Sequence, residues 1–201
     1  MRYGMAINKA HCVGCHSCTI ACMQRNGNSP GIYYSKVHIT ENGAYPNVSL
    51  DFSPVLCNQC TLPRCVDACE SGASQILDNG IIIVDRDLCI DCTKCIQACP
   101  YEARVLIEEP EELFPEQGFT AFEEATFQFD YVGTSGKCDF CLSLLEEGNE
   151  PACVHTCVGR ARIFGDLEDS ASEIAKILAS EDTFVLNETA GTEPNVYYFT
   201  R

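Results

Sequence analysis

Cys89-Ile90-Asp91-Cys92-Thr93-Lys94-Cys95-Ile96-Gln97-Ala98-Cys99-Pro100 is the stretch on which the reading of the chain turns. Three cysteines stand two residues apart, a fourth follows after three more, and a proline closes the run. The same grouping opens the chain as Cys12-x2-Cys15-x2-Cys18-x3-Cys22. Two looser versions complete the set: Cys57-x2-Cys60-x4-Cys65-x3-Cys69 and Cys138-x2-Cys141-x11-Cys153-x3-Cys157. Together they hold all sixteen cysteines of a 201-residue chain, a length that allows one or two domains.

Disulfides, zinc and iron–sulfur clusters compete for such a pattern. Disulfides staple distant loops of small secreted chains and draw on cysteines spread along the sequence; here they are bunched in fours. Zinc favours paired Cys-x2-Cys knuckles, often completed by histidine, whereas the first and third groups put three cysteines at that spacing before a fourth. That is the bacterial ferredoxin run, whose fourth cysteine ligates the other cluster of a pair. A tight loop wraps three thiolates around one cubane. The short helix that follows aims the fourth at the neighbouring cluster, and Pro100 ends the loop without needing a donor. The expectation is four [4Fe–4S] clusters on sixteen ligands.

Charge narrows the function. Against 29 acidic residues stand 13 Lys and Arg, a formal net charge of -16, and nucleic-acid binding needs the opposite sign. Four cubanes with their thiolates would add roughly -8 more. Lys94, Arg104, Lys137, Arg160 and Arg162 lie inside or beside the motifs and are candidates to hold that charge around the clusters. The longest aliphatic run, Ile81-Ile82-Ile83-Val84, falls far short of the roughly 20 residues of a membrane span. The opening residues show neither an apolar h-region nor twin arginines, so no export signal of its own is expected.

The fold class expected is α+β: two pseudo-repeated bacterial ferredoxin-like modules of two [4Fe–4S] clusters each, the inner inserted in the outer. The inner module takes residues 53–108, the outer residues 1–52 and 109–169, and residues 170–201 form a packing or docking tail. Gly80–Asp85, Arg104–Ile107, Tyr33–Thr40 and Asn47–Phe52 read as strands, with Asn42-Gly43 as a turn. The acidic run Glu108–Glu112 reads as solvated surface, and the alternating Phe127, Phe129 and Tyr131 as a half-buried strand. In the tail, Ile174, Ile177 and Leu178 have helical spacing behind the caps Asp169 and Ser170, followed by strands at Thr183–Leu186 and Asn195–Thr200.

With its cysteine groups in this order, the sequence resembles the four-cluster iron–sulfur subunit of the dimethyl sulfoxide reductase and polysulfide reductase family. Tyr3–Ile7 before Cys12-Val13-Gly14-Cys15, Leu56–Cys60, Cys99-Pro100-Tyr101, Pro151–Val154 and Phe164–Asp169 carry the likeness across essentially the whole chain. The resemblance implies a subunit relaying electrons between a molybdopterin catalytic subunit and a quinone-linked membrane subunit, in anaerobic respiration. It further implies four ligand sets. Cys12, Cys15, Cys18 and Cys157 would hold cluster 1, nearest the catalytic subunit, and Cys22, Cys138, Cys141 and Cys153 cluster 2. Cys69, Cys89, Cys92 and Cys95 would hold cluster 3, and Cys57, Cys60, Cys65 and Cys99 cluster 4, on the quinone side. Relatives lacking one cysteine of the third group carry a three-iron cluster; here that group is complete.

Glu70 stands where the family often has proline after the cysteine, and Met23 follows Cys22. A carboxylate so close is expected to lower a cluster's potential. His11, His16 and His155 flank ligand cysteines, but sixteen thiolates already fill four cubanes, which leaves them surface or packing roles, or donating to a cluster sulfur or coupling a proton. No nucleophile–base pair, phosphate loop or pterin motif is present, so no catalytic residue is assigned and the chain is read as an electron-transfer subunit rather than an enzyme by itself. Its rivals are a free-standing soluble polyferredoxin and a zinc-stapled scaffold. The expected location is peripheral to the cytoplasmic membrane, either exported with a signal-bearing partner or cytoplasmic.

Overall fold

A computed structural model describes residues 1–200; Arg201, the last residue of the expected tail, lies outside them. Strand β1 (Tyr3–Asn8) buries Met5, Ala6 and Ile7 completely. It leads through the first cysteine loop into helix α1 (Ser17–Asn26). Gly27 ends that helix at φ +59°, where a Cβ would come 1.7 Å from Thr126 O, so only glycine fits.

Strands β2 (Ser35–Ala44) and β3 (Asn47–Leu56) form an antiparallel hairpin. Its turn is at Tyr45-Pro46, not at the expected Asn42-Gly43, which lie inside β2 opposite Ser49 and Val48. Pro46 has no N–H to give a ladder and a fixed φ; it takes the turn, and Gly43 meets Asn47 O at close range instead.

Around the second and third cysteine groups the elements are one turn long: α2 (Arg64–Asp67), the hairpin of β4 (Ser74–Ile76) and β5 (Ile82–Val84), α3 (Lys94–Gln97) and β6 (Arg104–Leu106). The aromatic stretch that follows is not a strand. Thr120 and Glu123 make a capping box that starts α4 (Ala121–Thr126). Phe129–Tyr131 then forms a 3-10 turn, and Phe119 packs edge-on against Phe127 and Phe129. Local capping and aromatic packing outweigh the alternation.

Strand β7 (Ser135–Lys137) pairs with β6, and helices α5 (Leu142–Glu146) and α6 (Ala152–His155) carry the fourth cysteine group. Strand β8 (Arg162–Asp166), helix α7 (Glu173–Ser180) and strand β9 (Val196–Phe199) close the chain. β1 is the middle of a three-stranded sheet, antiparallel to β8 and parallel to β9, so residues of the tail complete the sheet begun at the other end of the chain. Thr183–Leu186 contributes only the bridge Phe184–Tyr198 rather than a strand.

The cap of α7 is Ser172, whose Oγ accepts from Ala175 N at 3.2 Å, not Asp169 or Ser170. It sits immediately before the helix whose Ile174 is fully buried. We expect Ser172→Ala to lower stability by about 1 kcal/mol in chemical denaturation, and Ser170→Ala to leave it unchanged.

Helix α1 packs on α6 and α2 on α3. The main core runs through the cysteine sites, joining Met5, Ile7, Tyr34, Leu56, Ile81, Phe140 and Tyr198 to Cys18, Cys22, Cys57, Cys138 and Cys153. Among the described residues no helix is long and apolar enough to cross a membrane.

Candidate metal centre

Each cysteine loop is bent by residues at positive φ: Gly14 and His16 in the first, Gln59 in the second, Asp91 and Thr93 in the third, Phe140 and Cys141 in the fourth. Non-glycine residues enter this region at a cost that the surroundings must hold down. Single backbone N–H groups in or just after the cysteine groups face three of the sulfurs. Ser74 N reaches Cys69 Sγ at 3.2 Å, Ala161 N reaches Cys157 Sγ at 3.2 Å and Phe140 N reaches Cys138 Sγ at 3.4 Å.

The loops line three small, partly open cavities of equal size, about 20 Å3 each. The first is lined by Cys69, Cys89, Cys92 and Cys95, the second by Cys12, Cys15, Cys18 and Cys157, the third by Cys57, Cys60, Cys65 and Cys99. The remaining four, Cys22, Cys138, Cys141 and Cys153, are buried and face one another closely enough for their charges to interact. Burial, then mutual repulsion, pushes Cys22 and Cys138 far up. Burial likewise takes Cys60 and Cys141 to about 11. Cys138 also lies near Cys57, which makes these two sets neighbours.

Such thiols, closed off from water and crowded in fours, call for a cation centre that keeps them as thiolates. One ion does not suffice: among the described residues no three His, Cys, Asp or Glu side chains converge closely enough to bind a single metal. Tetrahedral zinc, at about 2.3 Å from each sulfur, would draw its ligands together. A cubane holds its four thiolates farther apart, and the donor set and cavities fit it.

The charged surroundings fit too. Arg162 is 4% exposed and reaches Cys153 Sγ from Nη1 at 3.7 Å and Cys18 Sγ from Nη2 at 3.5 Å. Burial works against its charge, but the thiolates of Cys153 and Cys18 more than offset that and hold the guanidinium protonated. Arg104 donates from Nη1 to Ser74 Oγ at 2.9 Å. Its Nε and Nη2, like the Asn58 Nδ2, are buried with no oxygen or nitrogen partner, the Cys65 sulfur lies beside the guanidinium, and Arg104 and Asn58 both line the Cys57 cavity. Buried donors without partners are costly, and cluster sulfurs would relieve them. Lys137 is buried and donates to the carbonyls of Ile82 and Cys138.

Lys94 and Arg160 do not join this group. Arg160 is exposed, and Lys94 pairs at the surface with Glu70 at 2.5 Å. The Glu70 charge therefore reaches the Cys69 cavity largely neutralised. We expect Glu70→Gln to raise a cluster potential, Lys94→Gln to lower it and the double variant to restore it, as read by redox titration. His11 and His155 are exposed and His16 half-buried, and the hydrogen bonds to cysteine sulfur come from other residues. Gln59, significant in the sequence only as the residue before Cys60, is fully buried. It donates to Cys138 O at 2.8 Å and accepts from Ile82 N at 2.8 Å, stitching the second cysteine group to the fourth.

Comparison with known proteins agrees with this geometry. The family described as "4Fe-4S dicluster domain" matches residues 48–113 and 124–167. A selenate reductase subunit of Mesobacillus selenatarsenatis is 39% identical over 98% of this chain and 71% of its own. A polysulfide reductase chain of Wolinella succinogenes is 35% identical over 98% and 93%. The arsenate respiratory reductase iron–sulfur subunit ArrB of a Shewanella species is 33% identical over 98% and 96%. Likeness that runs from end to end, over cysteine loops of this geometry, places the chain in the family of [4Fe–4S] iron–sulfur subunits of the dimethyl sulfoxide and polysulfide reductases, electron carriers within reductase complexes.

Proposed function

We propose that this chain relays single electrons through four [4Fe–4S] clusters, between a molybdopterin catalytic subunit and a quinone-linked membrane subunit. The observation that carries the reading is the grouping of sixteen cysteines into four sets of four. In the proposal Cys12, Cys15, Cys18 and Cys157 hold one cluster; Cys22, Cys138, Cys141 and Cys153 the next. Cys57, Cys60, Cys65 and Cys99 hold a third, and Cys69, Cys89, Cys92 and Cys95 the last. This order exchanges the final two positions of the expected one, because Cys57 is the neighbour of Cys138 and Gln59 binds Cys138 O.

The same contacts support two nested ferredoxin-like modules. α1 packs on α6 and β1 pairs with β8 in the outer one, residues 1–52 and 109–169, while α2 packs on α3 in the inner one, residues 53–108. The tail, residues 170–200 of the described chain, supplies β9 and α7 as packing elements against β1.

The clusters supply reversible one-electron storage. The protein's own part is to fix their spacing, exclude water and hold charge: Phe140, Ile81, Tyr198 and Met5 close the interior, backbone N–H groups reach Cys69 and Cys157, and Arg162 reaches Cys18 and Cys153. Both ends of the relay reach the surface. Cys15 is exposed near the exposed Val13, the exposed Val158 follows Cys157, and Cys89 and Cys92 lie beside the exposed Leu88 and Ile90. A position peripheral to the membrane, exported with a partner or cytoplasmic, follows from the same reading. The net charge of -16 favours one rival, a free polyferredoxin steered to basic docking sites. Size-exclusion of native anaerobic extracts separates them: co-elution with a large molybdenum protein supports the subunit, and a lone small brown protein contradicts it.

A further inference from the structure

Among the described residues three cations are buried: Arg104 at 3%, Lys137 at 6% and Arg162 at 4% exposure. Among the described residues none of them is ion-paired with a carboxylate, the ion pairs present being those of Met1, Lys9 and Lys94. A buried cation without an anion costs several kcal/mol, so each needs a counter-charge: Arg162 reaches cysteine sulfur directly, Arg104 lies beside Cys65, and Lys137, bound to two carbonyls, is close enough for its charge to act on Cys65.

Their positions are not equivalent to those of ordinary neighbours. The Arg162 fork touches two cysteines of different sets, Cys18 through Nη2 and Cys153 through Nη1, and is held in place by Ser35 Oγ at 3.0 Å. Lys137 binds Cys138 O, in the second set, and Ile82 O; Ile82 lines the Cys57 cavity. Arg104 also lines that cavity and donates to Ser74, whose N–H in turn reaches Cys69 Sγ. One cation thus stands at every junction: between the Cys12 and Cys22 sets, between the Cys22 and Cys57 sets, and between the Cys57 and Cys69 sets.

We propose that Arg162, Lys137 and Arg104 are shared positioning cations, one per junction, each stabilising added electrons on two adjacent clusters at once. Neighbouring anionic clusters repel, and a fixed positive charge between them lowers that repulsion for both members of the pair. A planar guanidinium with divergent N–H groups suits the outer junctions, where sulfur or serine lies on two sides. The inference rests on the four ligand sets proposed above.

The test is an EPR-monitored redox titration of anaerobically purified protein, with iron and sulfide counted in each sample. Arg162→Gln is expected to lower two midpoints together and leave two in place, each falling by a tenfold change in the reduction equilibrium, 59 mV for one electron. Lys137→Met is expected to lower a different pair that shares one member with the first. If Arg162→Gln does not load its clusters, Arg162→Lys decides: a single ammonium reaches one sulfur but not both, so one midpoint of the pair holds and its neighbour falls. A shift confined to one midpoint in Arg162→Gln, a shift of all four, no shift in fully loaded protein, or two pairs with no common member would overturn the proposal. Wild-type protein without four clusters would instead overturn the ligand assignment, whatever the variants do.

Discussion

Chelating the iron from the anaerobic protein is expected to unfold it and leave no empty scaffold: far-UV circular dichroism should collapse as the visible absorbance bleaches. The elements around the cysteines have little stability of their own. α2, α3 and α6 are four residues each, well under the 12–15 at which an isolated helix is even marginal. β4 to β7 are three-residue strands. The core that should unite them passes through Cys18, Cys22, Cys57, Cys138 and Cys153, so removing the clusters hollows the interior at its centre. A structural metal site contributes on the order of 10 kcal/mol, against a total stability of about 5–15 kcal/mol for a domain. An iron-free protein that keeps its circular dichroism and a cooperative thermal transition would show that the apolar contacts suffice, and would leave the clusters no structural part.

The second large effect is at Phe140. The ring is 1% exposed and meets Phe164 edge-on, centroids 5.2 Å apart at 75°. The same residue holds the fourth cysteine loop at φ +55° and gives its N–H to Cys138 Sγ at 3.4 Å. Phe140→Ala removes a buried ring and leaves a cavity beside the most enclosed set, a loss of about 3–5 kcal/mol. In denaturant titration followed by cluster absorbance, the midpoint is expected to fall steeply, with Phe140→Leu in between. An unchanged midpoint in Phe140→Ala would mean that the ring does not close this site.

How much of this could be read from the chain alone depends on how local the signal is. The cysteine runs fix loop shape within a dozen residues, so the iron–sulfur chemistry was legible at once. The core strands Ile82–Val84 and Arg104–Leu106 were also legible, each lying inside the segment expected. Features set by distant partners were not. Nothing near Arg162 marks it as reaching both Cys18 and Cys153, because the contact spans 144 residues to one and 9 to the other. Gln59 gains its role only from Cys138, 79 residues on. Arg160, two residues from Arg162, had the same sequence credentials and points to solvent. Adjacency in sequence to a cysteine gives no measure of burial.

The local misreadings have local causes as well. A proline displaced the hairpin turn by a few residues, and a capped helix just before the alternating aromatic run leaves Phe127 as its C-cap and Phe129–Tyr131 in a tight turn. Ser172 won the cap of α7 over Asp169 and Ser170 because it stands immediately before the first helical residue.

One determination bears most directly on the whole reading: iron, acid-labile sulfide and zinc per chain, with Mössbauer spectra, on protein purified without oxygen. The structure leads us to expect about sixteen irons and sixteen sulfides, all in [4Fe–4S] form, and no zinc. A folded chain carrying zinc in place of iron, or no metal at all, would contradict it.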